Sequence, residues 1–239
     1  MALPILNDTP KYELTIPSSN KTVRFRPYLV KEEKVLLMAN ESNDRNTIMS
    51  AMTDTVLACL QGGVTREELT MFDLEYMFIK IRAKSVGESV QLYYSCQECE
   101  EKNTVEINLD EVVCETNQTE GMIQLTDDIS LEMGYPSYTD FDLETSDENE
   151  MGFEIIARSI KTVLTDEERI DLSEESKENV QSFLESMTSA QFTKVAEFVK
   201  SMPAVKYESS FVCQSCGTNN EFEVRGMHNF FWHASPMKL

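Results

Sequence analysis

Apolar residues recur at every second position through Tyr12, Leu14 and Ile16 and again through Val23, Phe25 and Pro27, with Pro17-Ser18-Ser19-Asn20 between them. A period of two with turn chemistry in the gap predicts an N-terminal β-hairpin. From Val30 the period lengthens. Val35, Leu36, Leu37 and Met38 fit a short helix ending near Asn40, and Asn43 stands where it would cap a second. That second helix carries Ile48, Met52, Val56, Cys59 and Leu60 on one stripe and is expected to stop at Gly62-Gly63. Thr70 with Asp73 resembles a capping box, Asp replacing the usual Glu or Gln, ahead of an apolar helix through Leu74, Met77, Phe78 and Ile81. The density of apolar residues predicts burial on more than one side, to about Ser85.

Alternation returns at Val90, Leu92 and Tyr94 and again at Val105, Ile107 and Leu109, on either side of Cys96-Gln97-Glu98-Cys99. The pattern reads strand, knuckle, strand. Short strands are expected around Met122–Leu125 and Ile129–Met133, ending at Gly134-Tyr135-Pro136. Helical spacing then links Phe153, Ile156, Ile160 and Val163 up to the acidic loop at Thr165–Glu168. Val180, Phe183, Leu184 and Met187 mark another helix. Thr188 with Gln191 forms a capping box for the next, through Phe192, Val195, Ala196 and Val199 to the stop before Pro203. Tyr207, Ser209 and Phe211 lead into Cys213-Gln214-Ser215-Cys216, Phe222 and Val224 lead out, and an aromatic tail Phe230-Phe231-Trp232 follows.

The two cysteine pairs change the picture most. Two thiolates spaced by two residues reach one metal ion from a single tight turn, and a structural zinc ion takes four such ligands tetrahedrally. Cys96, Cys99, Cys213 and Cys216 are therefore read as one structural zinc site. Small or polar residues follow each pair, and Gly217 suits a left-handed turn beside the sulfurs. Cys59 and Cys114 are left as free thiols. The pairs stand 114 positions apart, counting from Cys99 to Cys213, so zinc would close a long loop and tie the ends of whatever lies between; loss of metal is expected to loosen that insertion first. The expected fold class is α+β: an N-terminal β-hairpin plus helical body, with a split four-cysteine zinc ribbon carrying a helical insertion. Its parts are a hairpin and helical domain over 1–89, the split ribbon over 90–110 plus 205–226, a mixed strand and helix insertion over 111–204, and the aromatic tail over 227–239.

Charge narrows the function. Lys and Arg number 21 against 42 Asp and Glu in 239 residues, a formal net charge of −21, so the average surface repels phosphate backbones and anionic headgroups. No nucleic-acid partner is expected. The N-terminal sequence Met1–Leu6 has neither the basic start nor the apolar stretch of a secretory signal, and no run approaches the roughly 20 apolar residues of a membrane span. A soluble, intracellular protein is expected, and a reducing compartment favours metal over disulfides for the paired cysteines. No phosphate loop, nucleophile elbow or metalloprotease motif appears. The two histidines, His228 and His233, read as surface or packing residues, and the acidic runs Asp140–Glu150 and Glu174-Glu175 as solvated faces. The chain is expected not to be an enzyme. Three consecutive aromatics cannot all face inward, so Phe230, Phe231 and Trp232 are candidates for a partner contact beside the alternative of packing on the ribbon. Arg24 and Arg26, with Lys31 and Lys34, form a basic exception suited to an acidic partner, or else ordinary surface charge.

Several stretches together resemble a known family. Leu3-Pro4, Thr9–Tyr12, Ile16-Pro17-Ser18, the run Val23-Arg24-Phe25-Arg26-Pro27-Tyr28-Leu29-Val30-Lys31-Glu32-Glu33-Lys34, and Met38-Ala39 are similar to the small baseplate proteins of T-even-type contractile-tailed phages. So are Phe72–Phe78, Arg82–Glu88, Tyr135-Pro136 and Asn229-Phe230-Phe231. The resemblance spans nearly the whole chain and is most specific in the first hundred residues. It implies a role in assembling or stabilising the baseplate hub through contacts with other baseplate and hub proteins, in the host cytoplasm during assembly and, for a retained part, in the virion tail baseplate. It carries over no catalytic residue and leaves open whether such a protein stays in the virion or departs after assembly. The rival from composition alone is a nucleic-acid-binding zinc-ribbon regulator, against which the charge argues; a zinc-dependent or thiol enzyme would need an open ligand position or a reactive cysteine.

Overall fold

In the computed structural model, which describes residues 9–115, 121–140 and 148–226, the alternation at the N-terminus is satisfied by two short strands. β1 (Tyr12–Thr15) and β2 (Thr22–Phe25) pair antiparallel with Tyr12 opposite Phe25. Leu14, Val23 and Phe25 turn inward while Glu13, Thr15 and Arg24 face water. Asn20 takes a positive φ of 53° in the turn.

α1 (Val30–Ser42) and α2 (Arg45–Cys59) follow. The first runs past Asn40, and Asn43 is not the N-cap of the second. It closes α1 in the left-handed conformation that Asn tolerates, and the Asp44 carboxylate accepts the N–H groups of Asn46 and Thr47 to start α2. α2 also ends before the glycine pair. Leu60 and Gln61 form β3 (Leu60–Gln61) against β2, so sheet pairing rather than glycine terminates the helix. α3 (Met71–Ser85) holds Leu74, Met77, Ile79 and Ile81 fully out of water, as its apolar density requires.

β4 (Ser89–Ser95) and β5 (Lys102–Asn108) form a hairpin with the first cysteine pair at its tip, and a short 3-10 turn leads to β6 (Val113–Glu115). β7 (Met122–Gln124) and β8 (Ile129–Met133) then pair as an antiparallel hairpin. α4 (Glu148–Ser159) is shorter than the spacing of apolar residues suggested. The expected helix breaks at Ile160, and Ile160-Lys161-Thr162-Val163-Leu164-Thr165 becomes β9 (Ile160–Thr165), central in a four-stranded sheet between β8 and β10 (Arg169–Asp171). Ile156, Ile160 and Val163 all end up buried, so inward burial across a helix–strand junction imitated a continuous helical stripe. The β-branched residues Ile160, Thr162 and Val163 favour the strand. α5 (Lys177–Glu185) and α6 (Ser189–Lys200) complete this part, the second with the reciprocal Thr188–Gln191 capping box read from the sequence. The chain returns through β11 (Ala204–Val212) and β12 (Asn219–Arg225), a second hairpin with the second cysteine pair at its tip.

The protein is α+β, with its helices set among small antiparallel sheets. Two compact units emerge. One holds the described residues up to Arg66, those from Phe72 to Glu115, and those from Ala204 onward. The other holds Glu67–Met71 and the described residues between Glu115 and Ala204. The second unit has its own core, where Leu131, Met133, Ile156, Ile160 and Val163 meet Leu184, Val195 and Phe198, and Tyr135 stacks on Phe198 with ring centroids 6.0 Å apart. In the first unit β11 pairs with β6 as well as with β12, in the register Ala204↔Glu115, Val205↔Cys114 and Lys206↔Val113. The residues that lead into and out of the inserted unit are thus direct partners on one sheet. The Lys206 ammonium adds an ion pair to Glu115. Backbone pairing therefore joins the ends of the insertion directly, beside whatever the four cysteines contribute.

Among the described residues no helix is long and apolar enough to cross a membrane. Replacing fully buried Leu74 by Ala should cost about 2–5 kcal/mol of stability in urea unfolding, because the cavity left in α3 cannot collapse. Val35→Ala on the exposed face of α1 should change it by less than about 0.5 kcal/mol.

Candidate metal centre

Each cysteine pair sits in a turn whose backbone is fixed by the strands on either side. In the first, the Cys96 N–H donates to Glu101 O at 2.9 Å and the Glu100 N–H to Cys96 O at 3.0 Å. In the second, the Cys213 N–H donates to Thr218 O at 2.9 Å and the Gly217 N–H to Cys213 O at 3.0 Å. The knuckles are therefore copies of one another, residue for residue. Both need a left-handed residue directly after the second cysteine: Gly217 supplies φ 75° at no steric cost, whereas Glu100 holds φ 60° with a side chain attached.

The hairpins bring their tips together. Tyr94 of β4 lies against Phe222 of β12, ring centroids 4.5 Å apart, and against Phe211 of β11 at 6.4 Å. Beyond this aromatic cluster the four sulfurs of Cys96, Cys99, Cys213 and Cys216 all lie within 4.8 Å of one another. Cys96 and Cys216 approach to 3.6 Å, as do Cys99 and Cys213. None of the six cysteines is in a disulfide. A tetrahedral ion with metal–sulfur bonds of about 2.3 Å sets its ligands about 3.8 Å apart, so the cluster has the dimensions of a four-thiolate site. Tetrahedral sulfur donors suit zinc or iron–sulfur chemistry rather than magnesium or calcium.

The sulfurs are not equivalent. Cys96 and Cys213 are buried; Cys99 and Cys216 are exposed. The backbone N–H groups of Cys99 and Glu98, with the Asn220 amide, hold the Cys96 thiol below its ordinary value. For Cys213 the N–H groups of Cys216 and Ser215 and the Asn103 amide outweigh burial and draw it down to about 6. Cys99 goes the other way. The Glu101 N–H favours its thiolate, but hydrogen bonds shared with Cys216, Cys213 and Cys96, together with partial loss of hydration, push it up to about 12. Four thiols at this spacing cannot all ionise without a cation among them; a dication removes that penalty.

The family model described as T4 bacteriophage base plate protein matches residues 9–232. The chain belongs to that family. No curated protein and no solved structure matches it.

Other residues singled out in this baseplate protein are placed differently. Arg24 stays on the exposed face of β2, its Nε 2.9 Å from Glu13. Arg26 is turned inward. Its guanidinium donates to Glu32 at 2.9 Å, to the carbonyls of Pro27 and Ala58, and approaches Cys59 Sγ at 3.9 Å. Glu32 is buried, and although burial alone would raise its carboxyl, the bonds from Arg26 and the Leu29 N–H hold it below the usual range. The structure therefore brings Arg26 into a local bracket between the hairpin and α1, apart from Arg24. Phe230, Phe231 and Trp232, like His228 and His233, lie outside the described residues, as does most of the acidic run after Asp140. Cys59 and Cys114 stand away from the four-sulfur cluster as free thiols, and burial pushes them up to about 11 and about 12.

Asn103 and Asn220 belong to this site too, although in the sequence they stand only among the polar residues after each knuckle. The signal was present: each stands four positions past the second cysteine of its pair.

Replacing Cys213 by Ser should abolish stoichiometric metal uptake and lower the cooperativity of unfolding in the ribbon, measured by metal analysis and thermal melting; unchanged metal content would dismiss the site. Glu100→Gly should raise stability by up to about 1 kcal/mol by relieving the left-handed strain, read in chemical denaturation.

Proposed function

We propose that this baseplate protein is a non-enzymatic component or assembly factor of the tail baseplate hub, working through contacts with other baseplate and hub proteins and braced by one structural zinc ion. The observation that carries the reading is the family match across residues 9–232. Zinc is the ion we assign because four thiolates at tetrahedral spacing form a complete, redox-silent shell around it. A shell filled by four sulfurs has no position left for water, so the ion would hold the fold rather than activate a nucleophile. The free energy of binding it would then count directly toward folding of the ribbon.

The surface supports a contact role at α1. Val30, Met38 and Val35 are 79, 62 and 49% exposed, large apolar side chains on a helix that also presents Lys31 and Lys34. On a chain of net charge −21 such an apolar and locally basic face suits an acidic, partly apolar surface on a neighbouring baseplate protein. Assembly of this kind would take place in the host cytoplasm.

Tagged protein recovered from infected cells should bring hub proteins with it, identified by mass spectrometry. Val30→Glu with Met38→Glu should reduce that recovery at least tenfold while leaving the melting curve in place. Recovery of DNA or polymerase in place of baseplate proteins would refute the reading.

A further inference from the structure

Asn103 and Asn220 occupy matching positions in the two hairpins, and each reaches across to the other. The Asn220 side chain accepts the Gln97 N–H at 2.9 Å through Oδ1 and points Nδ2 at Cys96 Sγ, 3.5 Å away. The Asn103 side chain accepts the Gln214 N–H at 3.0 Å and points Nδ2 at Cys213 Sγ, 3.6 Å away. The remaining amide hydrogens are used at home. Asn103 Nδ2 also donates to Glu101 O at 2.8 Å, and Asn220 Nδ2 to Thr218 O at 2.9 Å. The two side chains are 3 and 2% exposed.

Two buried amides with every strong donor and acceptor engaged make a costly arrangement to miss and a rigid one to satisfy. The bonds to Gln97 and Cys96 and those to Gln214 and Cys213 cross from one hairpin to the other, so the pair forms a reciprocal clasp around the sulfurs. The bonds also decide where charge is tolerated. Cys96 and Cys213 each face two backbone N–H groups and one asparagine amide. The exposed Cys99 has the Glu101 N–H, and the Thr218 hydroxyl lies 3.3 Å from Cys216 Sγ. Four thiolates around a dication leave two net negative charges. In a chain already at −21, the sulfurs that cannot reach water need donors from the protein itself.

We infer that Asn103 and Asn220 are the positioning residues of the four-cysteine centre, each anchoring the opposite knuckle and donating to its buried sulfur so that the tetrathiolate holds its metal. This rests on the metal reading given above. Either asparagine acts through the sulfur it touches, and its loss is felt as weaker metal retention and altered donor strength of that thiolate.

The test uses the full-length chain loaded with cobalt(II), whose thiolate charge-transfer bands report the donor strength of the sulfurs, and with zinc in competition against a chelator. Asn103→Asp and Asn220→Asp keep the shape and the acceptor oxygen but replace the amide donor with a charge. Each should weaken zinc retention about 10–100-fold and shift the cobalt–thiolate bands. Asn103→Ala and Asn220→Ala, which add no charge, serve where an Asp variant does not fold, and should also shift the bands. Variants with wild-type retention and unchanged bands overturn the inference while leaving the metal reading intact. A wild-type chain that takes up neither cobalt nor zinc removes the metal reading, and the positioning role with it.

Discussion

The ribbon depends on a meeting between two hairpin tips separated by more than a hundred residues of chain. Closing so long a loop costs entropy that grows slowly with its length, and no single local interaction offsets it. Three different kinds of bond converge there. The aromatic packing of Tyr94 on Phe222 and Phe211 removes apolar surface from water. The reciprocal asparagines accept the Gln97 and Gln214 N–H groups, so each knuckle is held by a buried side chain of the opposite hairpin. The four sulfurs gather within 4.8 Å, a cluster that is unfavourable when ionised and strongly favourable around a dication.

Sheet register makes this arrangement compatible with a large insertion. Because Glu115 and Ala204 are partners on neighbouring strands, the inserted unit leaves and re-enters at one rung of a sheet. The inserted unit has its own core, built on Leu131, Ile160, Val195 and Phe198. Two separate contacts thus serve the first unit: the β6–β11 pairing joins the ends of the insertion, and the sulfur cluster joins the hairpin tips. The family match covers both, so the two units are features of one baseplate protein rather than an ornament on a ribbon.

Much of this was legible in residue order because its causes are local. The cysteine spacing, the alternation around it and the capping box at Thr188 each act within a few residues, and the structure carries all three. What was obscure depends on partners distant in sequence. Ile160 follows Ile156 at helical spacing, and only its place between β8 and β10 makes it the start of a strand. Arg26 reads as surface charge until Glu32 and the carbonyl of Ala58 turn it inward. Asn103 has no obvious task until Gln214, from the far end of the chain, arrives at its side-chain oxygen.

The baseplate role rests on the family match, and its bracing by a non-catalytic metal rests on a closed sulfur shell. X-ray absorption at the zinc edge of the metal-loaded, full-length protein addresses it most directly. The account predicts a shell of four sulfurs at about 2.3 Å and nothing lighter. A shell that includes nitrogen or oxygen would reveal an open or different site, and a chain that takes up no zinc would contradict the metal-braced ribbon.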